Sequence, residues 1–150
     1  MKFSEEVHFV TNDLSELTSK EVFDVLKLRS QVFVSEQICV YLDPDDQDLN
    51  AIHMRALSVS NQLIGYSRIY CDHSWHIGRI STAINHRNLG IGKAIVSESI
   101  SYCKSKNSSL AIEMSAQVYL TEYYSSLGFK PSGNMYLEDG IPHLKMRYQD

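Results

Sequence analysis

The stretch INHRNLGIGKAIVSES, residues 84–99, places an arginine and two glycines immediately before a helical pattern. The first N–H groups of a helix have no partner within the helix, and the positive end of its dipole attracts anions. Gly90 and Gly92 would let a phosphate approach the backbone because they carry no Cβ, and Arg87 can add a charge-assisted contact. The spacing matches neither a Walker A loop nor a G-x-G-x-x-G fingerprint. Alone, the motif is equally consistent with a phosphate-binding loop and with a ligand-free helix start.

A second segment with chemical potential is LTEYYSSLGF, residues 120–129, which carries two adjacent tyrosines on a short predicted helix. A tyrosine on such a helix normally packs its ring in the core and satisfies its hydroxyl at the edge. We interpret Tyr123 in this way. Tyr124 lies four residues before Gly128, and it becomes a functional candidate only in combination with the glycine motif.

The segment CDHSWH places Cys71, His73 and His76 close together and could suggest a metal site. A structural zinc site needs four ligands, and no fourth ligand with a matching spacing accompanies these three. The segment also falls in a predicted hairpin turn. We therefore interpret these histidines as surface residues and expect no metal.

The acidic segment DPDDQD, residues 43–48, resembles the beginning of a calcium-binding loop. An EF-hand loop needs glycine at its sixth position and glutamate at its twelfth, where this chain has Asp48 and Met54. We interpret the segment as a solvated acidic loop. A secondary hypothesis is that its charge guides a cationic amine toward a cleft.

The elements that must position these residues begin with a predicted strand in KFSEEVHFV, residues 2–10. Thr18 and Glu21 then form a T-x-x-E capping box, and apolar residues at helical spacing predict a helix from about Ser19 to about Phe33. Arg29 falls on the apolar face of that helix. We expect its stem to pack and its guanidinium group to pair at the surface.

The rest of the chain alternates between strand and helix patterns. Two strands joined near Ser60 and Asn61 form a predicted hairpin, and WHIGRISTA is a third strand. A helix from Gly90 to about Lys106, the strand LAIEMSA and a short helix ended by Gly128 follow. Two final strands, GNMYL and HLKMRY, lie around a predicted turn at Glu138-Asp139-Gly140. The predicted class is α+β, with a mixed sheet and helices on its faces.

Length and composition favour one domain over residues 1–150, because a chain of this size can bury a substantial core. The net charge is −4 and no cluster of Lys and Arg is present, which argues against nucleic acid and anionic membranes as partners. The N-terminal residues lack the apolar core of a signal peptide. The three cysteines are scattered without a C-x-x-C pair, as in a cytoplasmic protein with reduced thiols.

Four blocks in the same order resemble the GNAT acyltransferases, and more specifically their ElaA subfamily. The blocks are LRSQVFVSEQ, GRISTAINHRNLGIGKAI, SAQVYL with YYSSLGF, and YLEDGIPHLKM. The shared features are an Arg/Gln-x-x-Gly-x-Gly/Ala cradle after a strand and a later helix with Tyr followed by Gly-Phe. Asn88 and Leu89 replace the Gly-Lys that is commoner inside the cradle. The resemblance covers roughly residues 28–148.

The resemblance implies the GNAT fold, with a mostly antiparallel sheet of about six or seven strands and about four helices. It also implies acetyl-CoA as the co-substrate, with its pyrophosphate on the cradle amides and its pantetheine arm paired with the preceding strand. Such edge pairing satisfies strand amides that are otherwise open. The implied cofactor-binding residues are Ile80, Ser81, Thr82, Arg87, Asn88, Leu89, Gly90, Ile91, Gly92 and Lys93.

The implied reaction is direct acetyl transfer to a primary amine of a small molecule or peptide. Tyr124, by its match to the family's tyrosine, is the candidate general acid for the departing thiolate. Glu113 is one candidate base for the amine, and Glu36 and His143 are others, which could instead bind the substrate. The non-catalytic alternative for Glu113 is that it lies on a solvated face of its strand. For His143 the alternative is that its side chain pairs with the nearby turn.

Two alternatives remain open from the sequence. An acyl-homoserine-lactone synthase would share the fold and has a comparable LR..VF pattern in its N-terminal helix. A non-catalytic sensor of acyl-CoA would keep the cradle without the acceptor chemistry. Homodimers are common in the family, so a homodimer is a further expectation.

Overall fold

A computed structural model describes residues 6–150 and shows one eight-stranded sheet with four α-helices. The predicted first strand lies partly outside the described residues, and the observed strand begins at His8. The elements in chain order are β1 (His8–Asp13), α1 (Ser19–Ser30), α2 (Gln47–Asn50), β2 (Ile52–Leu57), β3 (Leu63–Cys71), β4 (Trp75–Thr82), α3 (Ile91–Asn107), β5 (Ile112–Gln117), α4 (Thr121–Ser125), β6 (Phe129–Pro131), β7 (Tyr136–Glu138) and β8 (Ile141–Tyr148).

The strand order is β1-β2-β3-β4-β5-β8-β6, and β7 also pairs with β8. All of these pairs are antiparallel except β4 with β5, which is parallel. The predicted class and the mostly antiparallel sheet are therefore confirmed. The additional strand is β6, whose three residues are too few for a periodic pattern.

The parallel pair β4–β5 is short. Only Trp75 with Ile112 and His76 with Glu113 are in register, and beyond them the described strands diverge. On its other side β4 has an extra residue, because Ser81 faces Tyr66 while Gly78 already faces Arg68. Arg79 within this bulge has a φ of 49°, an unusual conformation for a residue with a side chain. The divergence opens the centre of the sheet.

Helices α1 and α3 cover opposite faces of the sheet. Tyr66 packs with Val25 and Leu28 of α1, whereas the next residue, Ser67, is hydrogen-bonded to Ser99 of α3 at 2.7 Å. Successive side chains of a strand point to opposite faces, so the two helices lie on different sides. The largest core cluster combines α3 with residues of β3, β4, β5 and β8.

The start of α1 is the predicted capping box. The Thr18 hydroxyl accepts a hydrogen bond from the backbone N–H of Glu21 at 3.1 Å, and the Glu21 carboxylate accepts one from the N–H of Thr18 at 2.9 Å. The α-helical turns end at Ser30, and residues Gln31–Glu36 continue as a π-helix. The predicted end near Phe33 lies inside this wider turn. Such π-helical segments are frequent at functional sites.

We expect Thr18→Ala to lower the free energy of unfolding by about 1 kcal/mol, because it leaves an N-terminal amide of α1 without its partner. Chemical denaturation of the wild type and the variant measures the difference. Ser97→Ala is the control, since Ser97 is an exposed residue within α3 and we expect a change within about 0.5 kcal/mol. Equal effects of the two substitutions would contradict the capping role.

The part of the chain that the structure describes contains no helix long and apolar enough to cross a membrane. Among the same residues, no group of three or more His, Cys, Asp or Glu side chains is arranged to hold a metal ion. His76 of the CDHSWH segment stacks on Tyr70 and lies 2.9 Å from an Asp72 oxygen. Cys103 is buried in the core, and Cys71 is exposed at the end of β3.

Candidate active site

A cleft of about 280 Å³ opens where β4 and β5 diverge. Its walls come from the π-helical segment after α1, from the β4 bulge, from β5, from α4 and from the β7–β8 hairpin. Representative lining residues from these five elements are Phe33, Ile80, Ala116, Tyr124 and His143. The divergence of the two strands therefore creates a cleft that residues from all five elements line.

The predicted cradle lies between β4 and α3. Its backbone folds tightly, since Asn88 and Gly90 both have positive φ values of 63° and 83°. Gly90 is the N-cap of α3, and no side chain of a described residue caps the first turn that starts at Ile91. The amides at the start of this 17-residue helix are therefore open to an anion. Lys93 is exposed on the same turn.

Gly92 is the position at which a side chain would fill the cradle. A Cβ placed there would lie 3.2 Å from the Tyr123 hydroxyl oxygen and 3.5 Å from Thr82 Oγ1. This crowding is a reason for glycine in that position. It also shows that the space above the first turn of α3 is bounded by β4 on one side and by α4 on the other. The cradle thus has the room and the open amides that a pyrophosphate requires.

The structure brings Tyr123 to the cradle, although its pattern predicted only a structural role. Its ring packs edge-on against that of Tyr124, with the ring centroids 5.2 Å apart. Burial raises the pKa of the Tyr123 hydroxyl, so this group is a neutral hydrogen-bond donor at physiological pH. No local signal identifies this placement, because it depends on the packing of α4 against α3.

The free edge of β4 connects the cleft to the cradle. Ile80 lines the cleft, and Thr82 lies beside Gly92. The N–H of Ala83 is bonded to Ile64 of β3, so alternation along the strand turns the N–H of Thr82 away from β3. Ser81 is buried, and its hydroxyl donates to the Arg79 carbonyl at 2.8 Å. The edge is therefore available for pairing with an extended ligand.

Arg87 and Glu36 are joined in a bidentate ion pair. The Arg87 Nη1 and Nη2 atoms lie 2.7 and 2.9 Å from the two Glu36 carboxylate oxygens, and Arg87 Nε donates to the Thr82 carbonyl at 3.2 Å. Glu36 does not belong to the lining of the cleft. Its carboxylate instead ties the π-helical segment to the cradle, so the structure does not bring Glu36 to the position of a base.

Tyr124 is buried, and its side chain lines the cleft. Its ring packs against Tyr123 and Phe129. Within residues 6–150, no side chain or backbone group forms a hydrogen bond with its hydroxyl. Burial raises the pKa of the Tyr124 hydroxyl, so the group keeps its proton until a stronger base approaches. These properties suit a proton donor.

Glu113 lies outside the cleft lining, on β5. Its carboxylate accepts hydrogen bonds from Ser74 at 3.0 Å and Arg147 at 3.1 Å, and Lys145 Nζ lies 3.5 Å away. Burial opposes ionisation, but these partners lower the pKa of Glu113. The interpretation of Glu113 as a solvated strand face is wrong, because the residue is 6 % exposed. The structure does not bring Glu113 together with Tyr124.

His143 lines the cleft from β8 and is 8 % exposed. Its Nδ1 atom lies 2.7 Å from the Ile141 carbonyl oxygen, and its Nε2 atom lies 3.3 Å from Glu138 Oε2. The structure therefore brings His143, Glu138 and Tyr124 to one cleft. Glu138 was not identified from the sequence, although the turn predicted around residues 138–140 places it opposite the start of β8.

The expectation for Arg29 is wrong, because its guanidinium group is fully buried rather than at the surface. Arg29 Nε donates to Asp43 Oδ2 at 2.8 Å, and its Nη1 donates to Asp48 Oδ1 at 2.7 Å. Burial opposes the charge on Asp48, but the hydrogen bonds from Arg29 and from the Asp45 backbone, together with the charges of Arg29 and Arg68, lower the pKa of Asp48 to about 2. Burial without these partners would strongly disfavour each charge.

Only Asp43 and Asp48 of the acidic segment are buried, whereas residues 44–47 are exposed. The interpretation as a solvated loop is therefore wrong for these two carboxylates. Asp45 Oδ1 accepts from Arg68 Nη1 at 2.6 Å, and Asp43 Oδ1 lies 2.9 Å from Arg79 Nε. Arg68 and Arg79 both line the cleft. The carboxylates of Asp43, Asp45 and Asp48 are paired with arginines, so they offer little free charge to guide a cationic amine. Residues 43–48 do not belong to the lining of the cleft.

Comparison with known proteins identifies the family. The model of the acetyltransferase (GNAT) domain matches residues 18–149. A UPF0039 protein of Schizosaccharomyces pombe is 34% identical over 95% of this chain and 97% of its own length. Protein ElaA of Escherichia coli is 34% identical over 88% of this chain and 90% of its own.

A solved structure agrees with these relatives. An acyl-CoA N-acyltransferase from Pseudomonas aeruginosa superposes with a TM-score of 0.89 at 31% identity, over 96% of this chain and 100% of that one. The chain therefore belongs to the GNAT family of acetyltransferases, and ElaA is among its relatives.

Proposed function

We propose that this protein, as a single GNAT domain over residues 1–150, transfers an acetyl group from acetyl-CoA directly to a primary amine of a small molecule or peptide. The observation that carries the proposal is the continuity of the site. The free edge of β4 runs from Ile80 in the cleft to Thr82 beside the cradle, and α4 borders both through Tyr124 and Tyr123. One extended ligand can therefore occupy both regions.

The proposed roles follow from this geometry. The amides from Asn88 to Lys93 would hold the pyrophosphate, and Ile80, Ser81 and Thr82 would pair with the pantetheine arm. The Arg87 side chain supports this edge through its bond to the Thr82 carbonyl. Acetyl-CoA supplies the acetyl group as a thioester, and a backbone N–H of β4 would stabilise the charge on the acetyl oxygen.

The proposed general acid is Tyr124, whose hydroxyl would protonate the departing thiolate. We expect Tyr124→Phe to lower kcat by about 100-fold, within the usual range for the loss of a general acid. The thermal shift caused by acetyl-CoA should stay as in the wild type. Tyr102→Phe is the control, because Tyr102 lies on α3, where its ring packs against Trp75 outside the cleft lining. Unchanged kcat in Tyr124→Phe would remove Tyr124 from the mechanism.

A coenzyme A release screen tests the proposed function. The wild-type protein is incubated with acetyl-CoA and a panel of polyamines, amino sugars, peptides with a free N-terminus, and lysine derivatives. Release that depends on one of these amines is the expected result. Binding of acetyl-CoA without release in any class would favour a non-catalytic sensor. Formation of a lactone product that depends on S-adenosylmethionine would favour a homoserine-lactone synthase.

We propose that this reaction takes place in the cytoplasm, with the amine acceptor as the main partner and with the protein as a monomer or a homodimer. The net charge of −4 supports neither nucleic acid nor an anionic membrane as a ligand. Size-exclusion chromatography with light scattering distinguishes the two assemblies. No metal takes part in the proposed reaction.

A further inference from the structure

We propose that His143 and Glu138 form a dyad that binds the acceptor's ammonium group and removes its proton. This inference rests on the proposed acetyl transfer and adds the base and the acceptor-binding group to it. The two residues belong to β8 and β7, which form one hairpin. Both line the cleft that Tyr124 also lines.

The hydrogen bonds of His143 determine which ring nitrogen can accept a proton. A carbonyl oxygen only accepts hydrogen bonds, so the contact of 2.7 Å between Nδ1 and the Ile141 carbonyl places a hydrogen on Nδ1. In the neutral ring the Nε2 atom then carries the lone pair. The Nε2 atom, which carries this lone pair, lies 3.3 Å from Glu138 Oε2.

Glu138 is held by a chain of hydroxyl groups. The Ser115 hydroxyl donates to Glu138 Oε2 at 3.2 Å, so the hydrogen bond between Ser115 and Tyr136 has the Tyr136 hydroxyl as its donor. The Tyr136 ring also stacks on the His143 ring, with centroids 6.1 Å apart. Two side chains, Tyr136 of the hairpin and Ser115 of β5, thus fix the relative position of Glu138 and His143.

Two hydrogen-bond acceptors only 3.3 Å apart leave no room for a group between them, so a donor that serves both must lie beside them. With neutral His143, both Nε2 and the carboxylate of Glu138 offer lone pairs, and an ammonium group can donate to both. Glu138 is about half exposed while His143 is nearly enclosed, so an amine can enter from solvent along the carboxylate. A primary ammonium has three donors, which suits this arrangement.

The charges around the dyad also favour a cation. The cleft lining contains two arginines, Arg68 and Arg79, and each is paired with carboxylates of the acidic segment. Glu138 and Asp139 remain as carboxylates at the hairpin end. The other titratable groups of the cleft lining are Cys39, Tyr41, Tyr70, His76, Tyr119 and Tyr124.

The proton and electron balance of the step is complete. His143 Nε2 takes one proton from the ammonium, and Glu138 stabilises the resulting imidazolium. The neutral amine then uses its lone pair to form a bond with the acetyl carbon while the bond from that carbon to sulfur breaks. The sulfur takes a proton from Tyr124, and the nitrogen's second proton restores the tyrosine through solvent. His143 releases its proton to solvent, so one proton is released overall.

Two substitutions test the dyad by steady-state kinetics with an alkylamine that the wild type acetylates. We expect His143→Gln to lower kcat/KM for this amine by about 100-fold. We expect Glu138→Gln to raise the KM for the amine by about 10-fold, through loss of a charge-assisted hydrogen bond, with a smaller effect on kcat. The controls are His73→Gln in an exposed turn and Glu98→Gln on the exposed face of α3, which we expect to resemble the wild type.

A weakly basic amine separates proton removal from a structural role. Such an amine is already neutral at the assay pH, so His143→Gln should impair its acetylation far less than that of the alkylamine. Equal losses for both amines, or full activity of His143→Gln, would overturn the dyad while leaving the proposed acetyl transfer intact. A wild-type protein that acetylates no amine would instead contradict the proposed function.

Nuclear magnetic resonance of the histidine rings tests the dyad without turnover. In ¹⁵N-labelled wild-type protein, the signals of His143 are assigned by their absence from His143→Gln. We expect the neutral ring to carry its hydrogen on Nδ1, and we expect ethylammonium chloride to shift the Nε2 signal in the wild type but not in Glu138→Gln. A hydrogen on Nε2, or the same shift in both proteins, would contradict the inference.

Discussion

Replacing Gly92 by glutamate abolishes the thermal stabilisation that acetyl-CoA gives to the wild-type protein. The new Cβ would crowd the Tyr123 hydroxyl and Thr82 Oγ1, which lie 3.2 and 3.5 Å from its position. The carboxylate would also repel the pyrophosphate at the first turn of α3. For the wild type, acetyl-CoA at about 100 times its Kd should stabilise the fold by about 2.7 kcal/mol. That gain corresponds to an increase in Tm of about 5–10 °C.

Differential scanning fluorimetry with and without acetyl-CoA measures this effect. The control is Gly133→Glu, because a Cβ at Gly133 meets its nearest neighbour, Lys145 Cβ, only at 4.0 Å. Gly133 lies outside the cradle, between β6 and β7, so this variant should keep the full shift. An equal shift in Gly92→Glu and the wild type would show that the cradle does not bind the donor.

Replacing Arg29 by methionine should lower the free energy of unfolding by about 3–5 kcal/mol. Removal of one partner from a buried ion pair strongly disfavours the charge that remains. Asp43 and Asp48 would both lose the fully buried Arg29 and keep only the less buried Arg79 and Arg68. For a chain of this size we expect Tm to fall by roughly 10 °C. Urea denaturation and calorimetry measure the two quantities.

Lys20→Met provides the matched control for Arg29. Lys20 also pairs with an aspartate, Asp24, at 2.7 Å, but its side chain is 81% exposed. A solvent-exposed pair of this kind contributes little, so we expect a change below about 0.5 kcal/mol. A loss in Arg29→Met that is no larger than in Lys20→Met would mean that the buried network does not stabilise the fold.

Local signals predicted the parts of the site that depend on neighbouring residues. The capping box at Thr18 and Glu21 needs only a spacing of three residues, and the structure contains both of its hydrogen bonds. The turn at Gly90 and the start of α3 likewise follow from glycines before a helical pattern. The hairpin between β7 and β8 was predicted from its turn residues. The order of strands and helices around the cradle could therefore be predicted from the sequence.

The pairing of charges that lie far apart in the chain could not be predicted from local signals. Arg29 meets carboxylates 14 and 19 residues later, and Arg87 meets Glu36 across 51 positions. A periodic pattern does not encode such partners, because they depend on how α1 and its π-helical extension pack on the sheet. For this reason Arg29 was expected at the surface, and Glu36 was considered as a base.

The geometry of the strands was the second feature that could not be predicted from the sequence. The extra residue at Arg79 and the short register between β4 and β5 open the cleft, yet neither leaves a mark in the alternation of apolar residues. The resemblance to a family supplied the expectation of an open strand edge there. Only the pairing shows that Thr82 faces the cradle while Ile80 faces the cleft.

Backbone amide chemical shifts report directly on whether the donor binds at the cradle and along β4. Coenzyme A is titrated into ¹⁵N-labelled wild-type protein, and the ¹H–¹⁵N spectrum is followed. We predict that the largest changes occur at the amides from Asn88 to Lys93, with a second group at Ile80, Ser81 and Thr82. Absence of changes at these amides, or changes concentrated elsewhere in the chain, would show that coenzyme A does not bind at the cradle and along β4.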